Sequence, residues 1–594
     1  MSDLRPYMVD PRSGDFEDDA SSTEQRPMLS IAGSMLAELS LIKFATTWLV
    51  VVAAPALLIG LTVPLLSAWQ TKVSDRIATF TGIGSLIVLA ALAAGAWIGL
   101  RPLVRAAESN FWSLHSIVVQ PCYALIREGL RHIAEATLFA SSDEPVRARA
   151  RALVSLVAAA LCAAIAYFVV TLAWPHTRWD ASLGELASIG HWIKPAVANA
   201  IVIITVYFGL FSLMSGVSDA IMDQPVRIPA FDAAEPGQAS FRIAHLSDLH
   251  VIGEPYGFRI ESGRAGPQGN EAVGRVFEEI RKINRNAPLD LIIVTGDMTD
   301  AGRSAEWAAF FDILETYPDL MARVLITPGN HDLNIVDRTN PARLELPISA
   351  YKRLRQIRTL SAMERVQGSR VHVFDRKERR LGETLSRVLE KHRADIDAFL
   401  RKGSFWSAYK LSPLWADCFP LVRPPQSDDD MGVVILNSNA DANFSFTNAL
   451  GLIAAEDVFA LRTIFTDFPR TRWIVALHHH LVEYPMPVKC FSERIGTSLI
   501  NGGWFIRQMK PFAGRVVIMH GHRHIDWIGA CGRLQIISAP SPVMHKSGVE
   551  AGFLVHSLIA HPDGSVGLTR PVRFSANANG HFMTAKSGGT ESAG

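Results

Sequence analysis

Residues 324–332 have the sequence VLITPGNHD, and this stretch decides the predicted fold. Its first three residues are apolar and predict the end of a buried strand, and the Pro-Gly pair predicts a tight turn directly after it. Three polar residues then follow, Asn330, His331 and Asp332. Because ligands bind beyond the carboxyl ends of strands in open α/β sheets, this pattern predicts a functional site at a strand end.

Four other clusters of carboxylates or histidines also follow apolar runs directly. They are SDLH at 247–250, GDMTD at 296–300, HHH at 478–480 and HGHRH at 520–524. Each cluster alone fits a turn, a cap or a structural histidine. Five clusters in succession favour a shared metal site, and ligands without thiolates suit Mn, Fe or Zn. Two such ions about 3.5–4 Å apart would activate a shared water and clamp a phosphoryl group.

Strands alternate with helices in this part of the chain, which indicates α/β organisation. The predicted strands are 241–247, 290–295, 323–327, 432–437, 472–477, 515–519 and 534–538. The predicted helices lie near 270–284, 304–315 and 453–466.

The order and strand context of the five clusters resemble the calcineurin-like metallophosphoesterase superfamily over about residues 240–575. The run from Thr295 to Asp332 is most similar in style to class III cyclic-nucleotide phosphodiesterases and glycerophosphodiesterases. The resemblance implies a four-layer α/β sandwich with a central two-sheet β core. It also implies two divalent metal ions, Mn, Fe or Zn.

The resemblance further implies which side chains hold the two ions, with Asp297 bridging them. The first ion would be held by Asp248, His250, Asp297 and His524. The second would be held by Asp297, Asn330, His478 and His522. Among the three adjacent histidines, His479 is the alternative to His478.

His331 and Asp332 are the catalytic residues that the resemblance implies. His331 would contact a phosphoryl oxygen as an acid or an electrostatic stabiliser, and Asp332 would orient it. Asp300 would be structural. The implied activity is hydrolysis of a phosphodiester or pyrophosphate bond by a metal-activated hydroxide. The alternatives are a phosphomonoesterase or phosphoprotein phosphatase, and a membrane receptor or scaffold that uses the domain as a regulatory module.

Four long runs without Asp, Glu, Lys or Arg precede the α/β region. They cover residues 45–69, 80–100, 152–174 and 195–218. Each meets the requirement of about 20 apolar residues for crossing a bilayer as a helix. Buried core helices are the alternative, but these are usually shorter. We therefore predict an α-helical membrane region with four transmembrane helices, which spans residues 43–218.

The distribution of positive charge predicts the orientation of these helices. The loop 101–151 contains seven arginines, and the N-terminal tail adds Arg5, Arg12, Arg26 and Lys43. The opposite side has only Lys72, Arg76, Arg178 and Lys194. Because positive residues near membrane ends stay cytoplasmic, both termini and the catalytic domain are expected there, at the inner membrane if the protein is bacterial. The helical spacing within 101–151 fits either a segment at the membrane interface or a hairpin on the globular domain.

Composition predicts the remaining boundaries: a polar tail at 1–42, a linker at 219–239, a metallophosphoesterase domain at 240–578 and a disordered tail at 579–594. The domain contains a basic insertion at about 338–430, within which residues 351–402 hold 15 Lys or Arg and 7 Asp or Glu. This fits a solvated insertion, or a cap that lends positive charge to the site or to a membrane surface.

Composition also limits the classes of partner that this protein is expected to bind. The net charge of +1 and the lack of a long basic stripe with interleaved aromatics give no indication of specific nucleic-acid binding. Five scattered cysteines without a C-x-x-C pair argue against a disulfide framework or a thiolate zinc site. The expected partners are a phosphate ester of nucleotide or lipid-headgroup type and the lipid bilayer.

Overall fold

The computed structural model divides the chain into two compact units, a helical unit before Asp223 and an α/β unit from Asp223 onward. The structure describes residues 57, 118–139, 144–177, 189–228, 230–233, 238–255, 257–260, 269–337, 343, 345, 349–402, 405–427, 430–440, 448–484, 499–544, 551–576 and 582–584. The predicted tail at 1–42 and the predicted spans at 45–69 and 80–100 lie outside these residues, apart from Leu57.

The helical unit contains three long helices among the described residues. They are α1 (Gln120–Thr137), α2 (Glu144–Ala173) and α3 (Ile189–Ile221). Two stretches, Arg149–His176 and Ile193–Ile221, are long and apolar enough to cross a membrane, by length and composition. Large apolar side chains stay exposed along both, for example Phe168 and Leu210. A surface of this kind is what a lipid environment favours.

Small residues let α2 and α3 pack closely. A Cβ added at Gly216 would lie 2.3 Å from Ala159 Cβ, and one at Gly209 would lie 2.7 Å from Ala166 Cβ. Close approach through small side chains is the packing that membrane helices use, because apolar burial provides no driving force between helices in lipid.

An ion pair and a hydrogen bond hold α1 against the other two helices. Arg127 donates to Asp219 of α3 at 2.6 Å, and Arg131 donates to Glu128 and to Ser155 of α2 at 2.9 Å each. Buried charges are tolerated only when paired in this way. Two of the seven arginines in the loop 101–151 therefore act inside this unit rather than in solvent.

The α/β unit contains sixteen described strands. They are β1 (Pro225–Arg227), β2 (Ser240–Leu246), β3 (Leu291–Val294), β4 (Val324–Ile326), β5 (His372–Asp375), β6 (Arg380–Thr384), β7 (Leu421–Arg423), β8 (Met431–Ile435), β9 (Arg472–Ala476), β10 (Val516–His520), β11 (Trp527–Cys531), β12 (Leu534–Ser538), β13 (Gly552–Ala560), β14 (Val566–Leu568), β15 (Val572–Ala576) and β16 (Phe582–Thr584).

Helices connect or flank these strands. They are α4 (Glu271–Asn286), α5 (Ser304–Glu315), α6 (Pro318–Met321), α7 (Asn330–Leu333), α8 (Ala350–Gln367), α9 (Leu385–Lys391), α10 (Arg393–Lys402), α11 (Phe405–Lys410), α12 (Ser412–Asp417), α13 (Ala455–Asp467) and α14 (Gly502–Met509). A short 3-10 helix, Lys510–Phe512, follows α14.

The strands form two sheets. The larger has the order β1-β11-β12-β10-β9-β8-β7-β5-β6, and the smaller has the order β16-β15-β13-β2-β3-β4, with β14 paired to β13. Strands β2, β3 and β4 are parallel, as are β8, β9, β10 and β12. One apolar core contains residues of both sheets, such as Ile293 of β3 and Val517 of β10. The predicted α/β class with two sheets is confirmed.

The seven predicted strands correspond to β2, β3, β4, β8, β9, β10 and β12, with ends within two residues. The three predicted helices match α4, α5 and α13 equally well. Described strands also lie within three segments that were predicted from composition. The predicted linker contains β1, and the predicted disordered tail contains β16. The predicted insertion at 338–430 supplies β5, β6 and β7, which extend one edge of the larger sheet.

Candidate metal centre

Parallel pairing brings the five clusters of the sequence to neighbouring strand ends. In the smaller sheet, the loops after β2, β3 and β4 carry the clusters at 247–250, 296–300 and 330–332. In the larger sheet, β9 and β10 are parallel neighbours and lead to the clusters at 478–480 and 520–524. Since both sheets share one core, polar residues from all five loops meet at one place.

The backbone of these loops is strained at the site. Five non-glycine residues there have positive φ angles: Asp248 (56°), His250 (43°), Asp297 (53°), His522 (75°) and His524 (54°). Each such conformation costs about 1–3 kcal/mol and persists only where the surroundings enforce it, typically at functional sites.

Two glycines permit the close approach of the loops. A Cβ at Gly329 would lie 2.1 Å from Asp297 Oδ1, and a Cβ at Gly521 would lie 1.7 Å from Ser247 Oγ. Any side chain at either position would push the loops apart, so the sequence needs glycine there for steric reasons.

Three side chains form the first group of metal-type donors. Asp248, His250 and His524 each place one ligand atom within 4.8 Å of the others. His524 Nε2 lies 3.3 Å from Asp248 Oδ1, and His250 Nε2 lies 4.0 Å from the same oxygen. His250 Nε2 is also 3.8 Å from Asp297 Oδ2, so Asp297 borders this group.

A second group forms on the other side of the same carboxylate oxygen. His478 Nε2 lies 3.2 Å from Asp297 Oδ2, 2.9 Å from Asn330 Oδ1 and 3.0 Å from His522 Nδ1. One ligand atom each of Asp297, His478 and His522 also lies within 4.8 Å of the others. The structure thus brings together all seven residues predicted as ligands, with Asp297 between the two groups.

Each carboxylate uses one oxygen to hold the fold and directs the other toward the donors. Asp248 Oδ2 accepts the backbone N–H of His522 at 3.0 Å, and Asp297 Oδ1 accepts that of His331 at 2.8 Å. Asp248 Oδ1 is buried and accepts no hydrogen bond from the described residues. Such a division fixes the position of a ligand oxygen before any ion binds.

Two histidines are oriented in the same way. His478 Nδ1 lies 2.8 Å from the backbone oxygen of Thr295, and because that oxygen can only accept, Nδ1 carries the proton. His250 Nδ1 lies 3.3 Å from Asp300 Oδ1. Both contacts leave Nε2 as the atom that faces the centre. Asp300, predicted to be merely structural, therefore positions His250.

The electrostatics of the site favour a cation. Burial raises the pKa of Asp248, but the positive charge of His524 and other neighbours lowers it by more. The resulting pKa is about 2. Burial likewise raises the pKa of Asp297, while His478 and His331 lower it to well below its usual value. Burial, and then the charge of His479, lower the pKa of His522, which favours the neutral imidazole that metal binding needs.

The donor set fits divalent metal ions. Asp248 Oδ1 and His250 Nε2 are buried without hydrogen-bond partners among the described residues. Unpaired buried polar atoms are costly, so a group that satisfies them is expected. Carboxylate, amide and imidazole ligands suit Mn, Fe or Zn.

His331 lies at the edge of the first group. Its ring centroid is 4.6 Å from that of His250, and with His250 and Asp297 it forms a third, overlapping set of donors. Its Nδ1 is 2.7 Å from the backbone oxygen of Asp300 and therefore donates to it. That contact fixes the orientation of the His331 ring beside His250.

Asp332 accepts hydrogen bonds from both neighbouring loops, and its role in orienting His331 stays a prediction. Its Oδ1 accepts from the backbone and hydroxyl of Thr299 at 2.9 and 2.7 Å, and its Oδ2 accepts from Gly329 N at 2.9 Å. Asp332 thus ties together the loops after β3 and β4. Burial, and then the charge of Asp297, raise its pKa to about 7.

Ser438 is a positioning residue that the sequence patterns did not reveal. Its hydroxyl accepts from the backbone N–H groups of His478 and His479 at 3.2 and 3.1 Å, and it lies 2.9 Å from His479 Nδ1. It follows the apolar strand β8, so the signal that marked the other clusters was present here too. The position of His478 Nε2, 3.2 Å from Asp297 Oδ2, favours His478 over His479 as the ligand.

Comparison with known proteins agrees with this fold. Residues 241–526 match the model of the calcineurin-like phosphoesterase family. This stretch lies within the α/β unit, and members of that family normally bind divalent metals and catalyse hydrolysis. A comparison with curated proteins finds no match.

Among solved structures, the chain is similar to a 5′-nucleotidase from Staphylococcus aureus, a dimetal phosphatase from Danio rerio and an NAD nucleotidase from Haemophilus influenzae. The identities are 12%, 10% and 12%, and the TM-scores are 0.31, 0.32 and 0.28. The similarity covers 59%, 57% and 59% of this chain. It spans 56%, 99% and 60% of the respective relatives, so less than two thirds of either nucleotidase.

Proposed function

We propose that this protein is a membrane-anchored, two-metal phosphoesterase that hydrolyses a phosphodiester or pyrophosphate bond. The observation that carries the proposal is the convergence of two donor groups on one oxygen, Asp297 Oδ2. Asp248, His250 and His524 would hold one ion, and Asn330, His478 and His522 the other. When bound, the ions would supply a water of lowered pKa and a positive clamp for the phosphoryl oxygens.

The chain's own side chains position and stabilise the reacting group. Asp297 and Asp248 carry the negative charge that retains the ions at fixed places. His331, held by the Asp300 carbonyl, would donate a hydrogen bond from Nε2 to a phosphoryl or leaving-group oxygen. Burial lowers the pKa of His331, but the negative charges of Asp297 and Asp300 outweigh this effect and raise the pKa overall. The raised pKa favours the cationic form of His331, which carries a proton on both ring nitrogens.

The membrane part of the proposal retains four spans with both termini and the α/β unit in the cytoplasm. Helices α2 and α3 would be the third and fourth spans, and the excess of positive charge in the tail and the loop 101–151 supports this orientation. Reporter fusions after Ser218 and after Gly594 test it. Activity of a periplasmic or extracellular reporter at both points would reverse the orientation.

A substrate screen tests the activity. The purified full chain, loaded in turn with Mn²⁺, Zn²⁺ or Fe²⁺, would be offered cyclic nucleotides, glycerophosphodiesters, nucleotide pyrophosphates and phosphomonoesters. The proposal predicts that diesters or pyrophosphates have the highest kcat/KM. A preference for monoesters would instead favour a phosphomonoesterase or phosphoprotein phosphatase. Metal binding without any hydrolysis would favour a receptor or scaffold.

A further inference from the structure

A cavity lies beside the metal centre and is not accounted for by the donor groups. Its volume is about 470 Å³, within the range typical of small-molecule sites. Its walls include residues 301–303, residues 334–336 and one face of helix α8. We call it the arginine cavity, after its lining residues Arg303, Arg343, Arg355 and Arg358.

Two walls of the arginine cavity continue directly from the metal centre. Residues 301–303 follow Asp300, whose carboxylate contacts His250, and residues 334–336 follow the loop that carries His331. Consecutive Cα atoms are about 3.8 Å apart, so each wall begins within about 4–8 Å of a residue of the site. The arginine cavity therefore borders the loops that carry the metal-centre residues.

Helix α8 forms the third wall and belongs to the basic region 351–402. Tyr351, Leu354, Arg355 and Arg358 line the cavity from positions three, four and seven residues apart, which share one face of a helix. Arg355 fixes the helix in place, because its Nε donates to the Leu333 carbonyl at 2.8 Å and its guanidinium pairs with Glu345.

The charge of the cavity is unbalanced. Among the described lining residues, there are four arginines and one glutamate, Glu345, which is already paired with Arg355. Arg343 pairs with Asp337. Arg358 is half-buried and forms no hydrogen bond or ion pair with the described residues; Glu306 acts on it only from beyond ion-pair distance.

Arg303 is the second cation with unused hydrogen-bonding capacity. Its side chain is 69% exposed, and its Nε lies 3.9 Å from Glu306 Oε1, too far for a hydrogen bond. Both guanidinium groups suit a phosphate, because the planar N–H donors of a guanidinium match two phosphate oxygens. The exposed ring of Tyr351 offers an apolar wall beside these donors.

We propose that the arginine cavity binds a second phosphate group of the substrate. The substrate would then be a phosphodiester or pyrophosphate with a further phosphate several ångströms from the scissile phosphorus. This inference rests on the proposed function, since it assigns the cavity to the same reaction. It also selects between the two interpretations of the basic region, in favour of one that lends positive charge to the site.

Two matched inhibitors test the cavity in the full chain loaded with Mn²⁺. Hydrolysis of bis(p-nitrophenyl) phosphate would be inhibited with adenosine 3′,5′-bisphosphate or with adenosine 5′-monophosphate, which lacks the second phosphate. In the Arg358→Gln variant, the Ki of the bisphosphate should rise about fivefold to twentyfold, as expected for a lost charge-assisted hydrogen bond. The Ki of the monophosphate should change by less than about twofold, and Arg358→Lys should restore part of the difference.

Arg365→Gln is the matched control. Arg365 lies on the same helix and pairs with Glu315 outside the cavity, so its loss removes the same charge from α8. Both Ki values should stay at the wild-type level in this variant. Equal changes in the two Ki values for Arg358→Gln, or none, would overturn the proposal.

Failure of the proposed function gives a different result. If the wild-type chain hydrolyses no phosphoester, the cavity is tested by calorimetric binding of adenosine 3′,5′-bisphosphate to the wild-type chain and to Arg358→Gln. Weaker binding by the variant would support an anion site at the cavity. Equal binding would exclude it.

Discussion

Replacing Asp297 by asparagine should abolish retention of metal ions while preserving the local fold. The amide oxygen of asparagine can still accept the backbone N–H of His331, which Asp297 Oδ1 accepts at 2.8 Å. The change therefore removes the negative charge and little else. Because Asp297 Oδ2 borders both donor groups, the effect should extend to both ions.

The magnitude follows from the distance between Asp297 Oδ2 and the neighbouring donor. His478 Nε2 lies 3.2 Å from that oxygen, and a unit positive charge at a similar distance would interact with the carboxylate by about 5 kcal/mol at an effective dielectric constant of about 20. Since about 1.4 kcal/mol corresponds to a factor of ten, each ion should bind at least a thousandfold more weakly. Turnover should fall with occupancy.

Metal content decides the outcome. The wild-type chain, Asp297→Asn and the control Asp312→Asn would be purified in parallel and analysed by mass spectrometry for bound metal, with thermal unfolding as the test of folding. Asp312 is exposed on α5, so its variant should match the wild type. An Asp297→Asn variant that folds and retains two ions with unchanged affinity would refute the bridging role.

Three further outcomes are expected. His331→Ala should retain its metal content but lose about 10²- to 10⁴-fold in kcat, the usual contribution of a positioned acid, and a normal kcat would remove His331 from the chemistry. Gly216→Leu should lower the thermal midpoint of the detergent-solubilised chain, because even a Cβ there would lie 2.3 Å from Ala159 Cβ, whereas Val217→Leu at the exposed neighbouring position should not. Burial outweighs the ion pair with Arg376 and raises the pKa of Asp457 from 3.8 to about 7, so the unfolded chain releases this proton at lower pH than the folded one. Stability should therefore fall as pH rises from about 4 to about 7, and a thermal unfolding series should show a shallower slope for Asp457→Asn, unless Asp457 ionises normally in the folded state.

The core strands and the candidate ligands could be predicted because they have local signals. An apolar run predicts a buried strand wherever it occurs, and the polar residues after it fall at the strand end in any parallel α/β sheet. The strands β5 and β6 had no such signal, since charged residues interrupt the alternating pattern in the basic region. Their pairing at the edge of the larger sheet depends on β7, whose residues lie about 50 positions after their partners in β5.

The roles of Asp300 and Asp332 show a second limit of local patterns. Both carboxylates follow strands, and the sequence could not distinguish their partners. The tertiary structure places Asp300 against His250, 50 residues earlier, and Asp332 against Thr299, 33 residues earlier. A hydrogen bond requires an approach of about 3 Å, and only the packing of the loops decides which groups come that close.

The sequence by itself determined the kinds of side chain at the strand ends and the apolar lengths of α2 and α3. These properties depend on the chemistry and spacing of neighbouring residues, which the chain carries before it folds. Only the tertiary structure decided that two donor groups share Asp297 Oδ2, that Ser438 holds the histidine loop, and that Arg358 of a basic helix faces a cavity beside the site. Each of these depends on contacts between residues far apart in sequence, which form only when both sheets close on a common core.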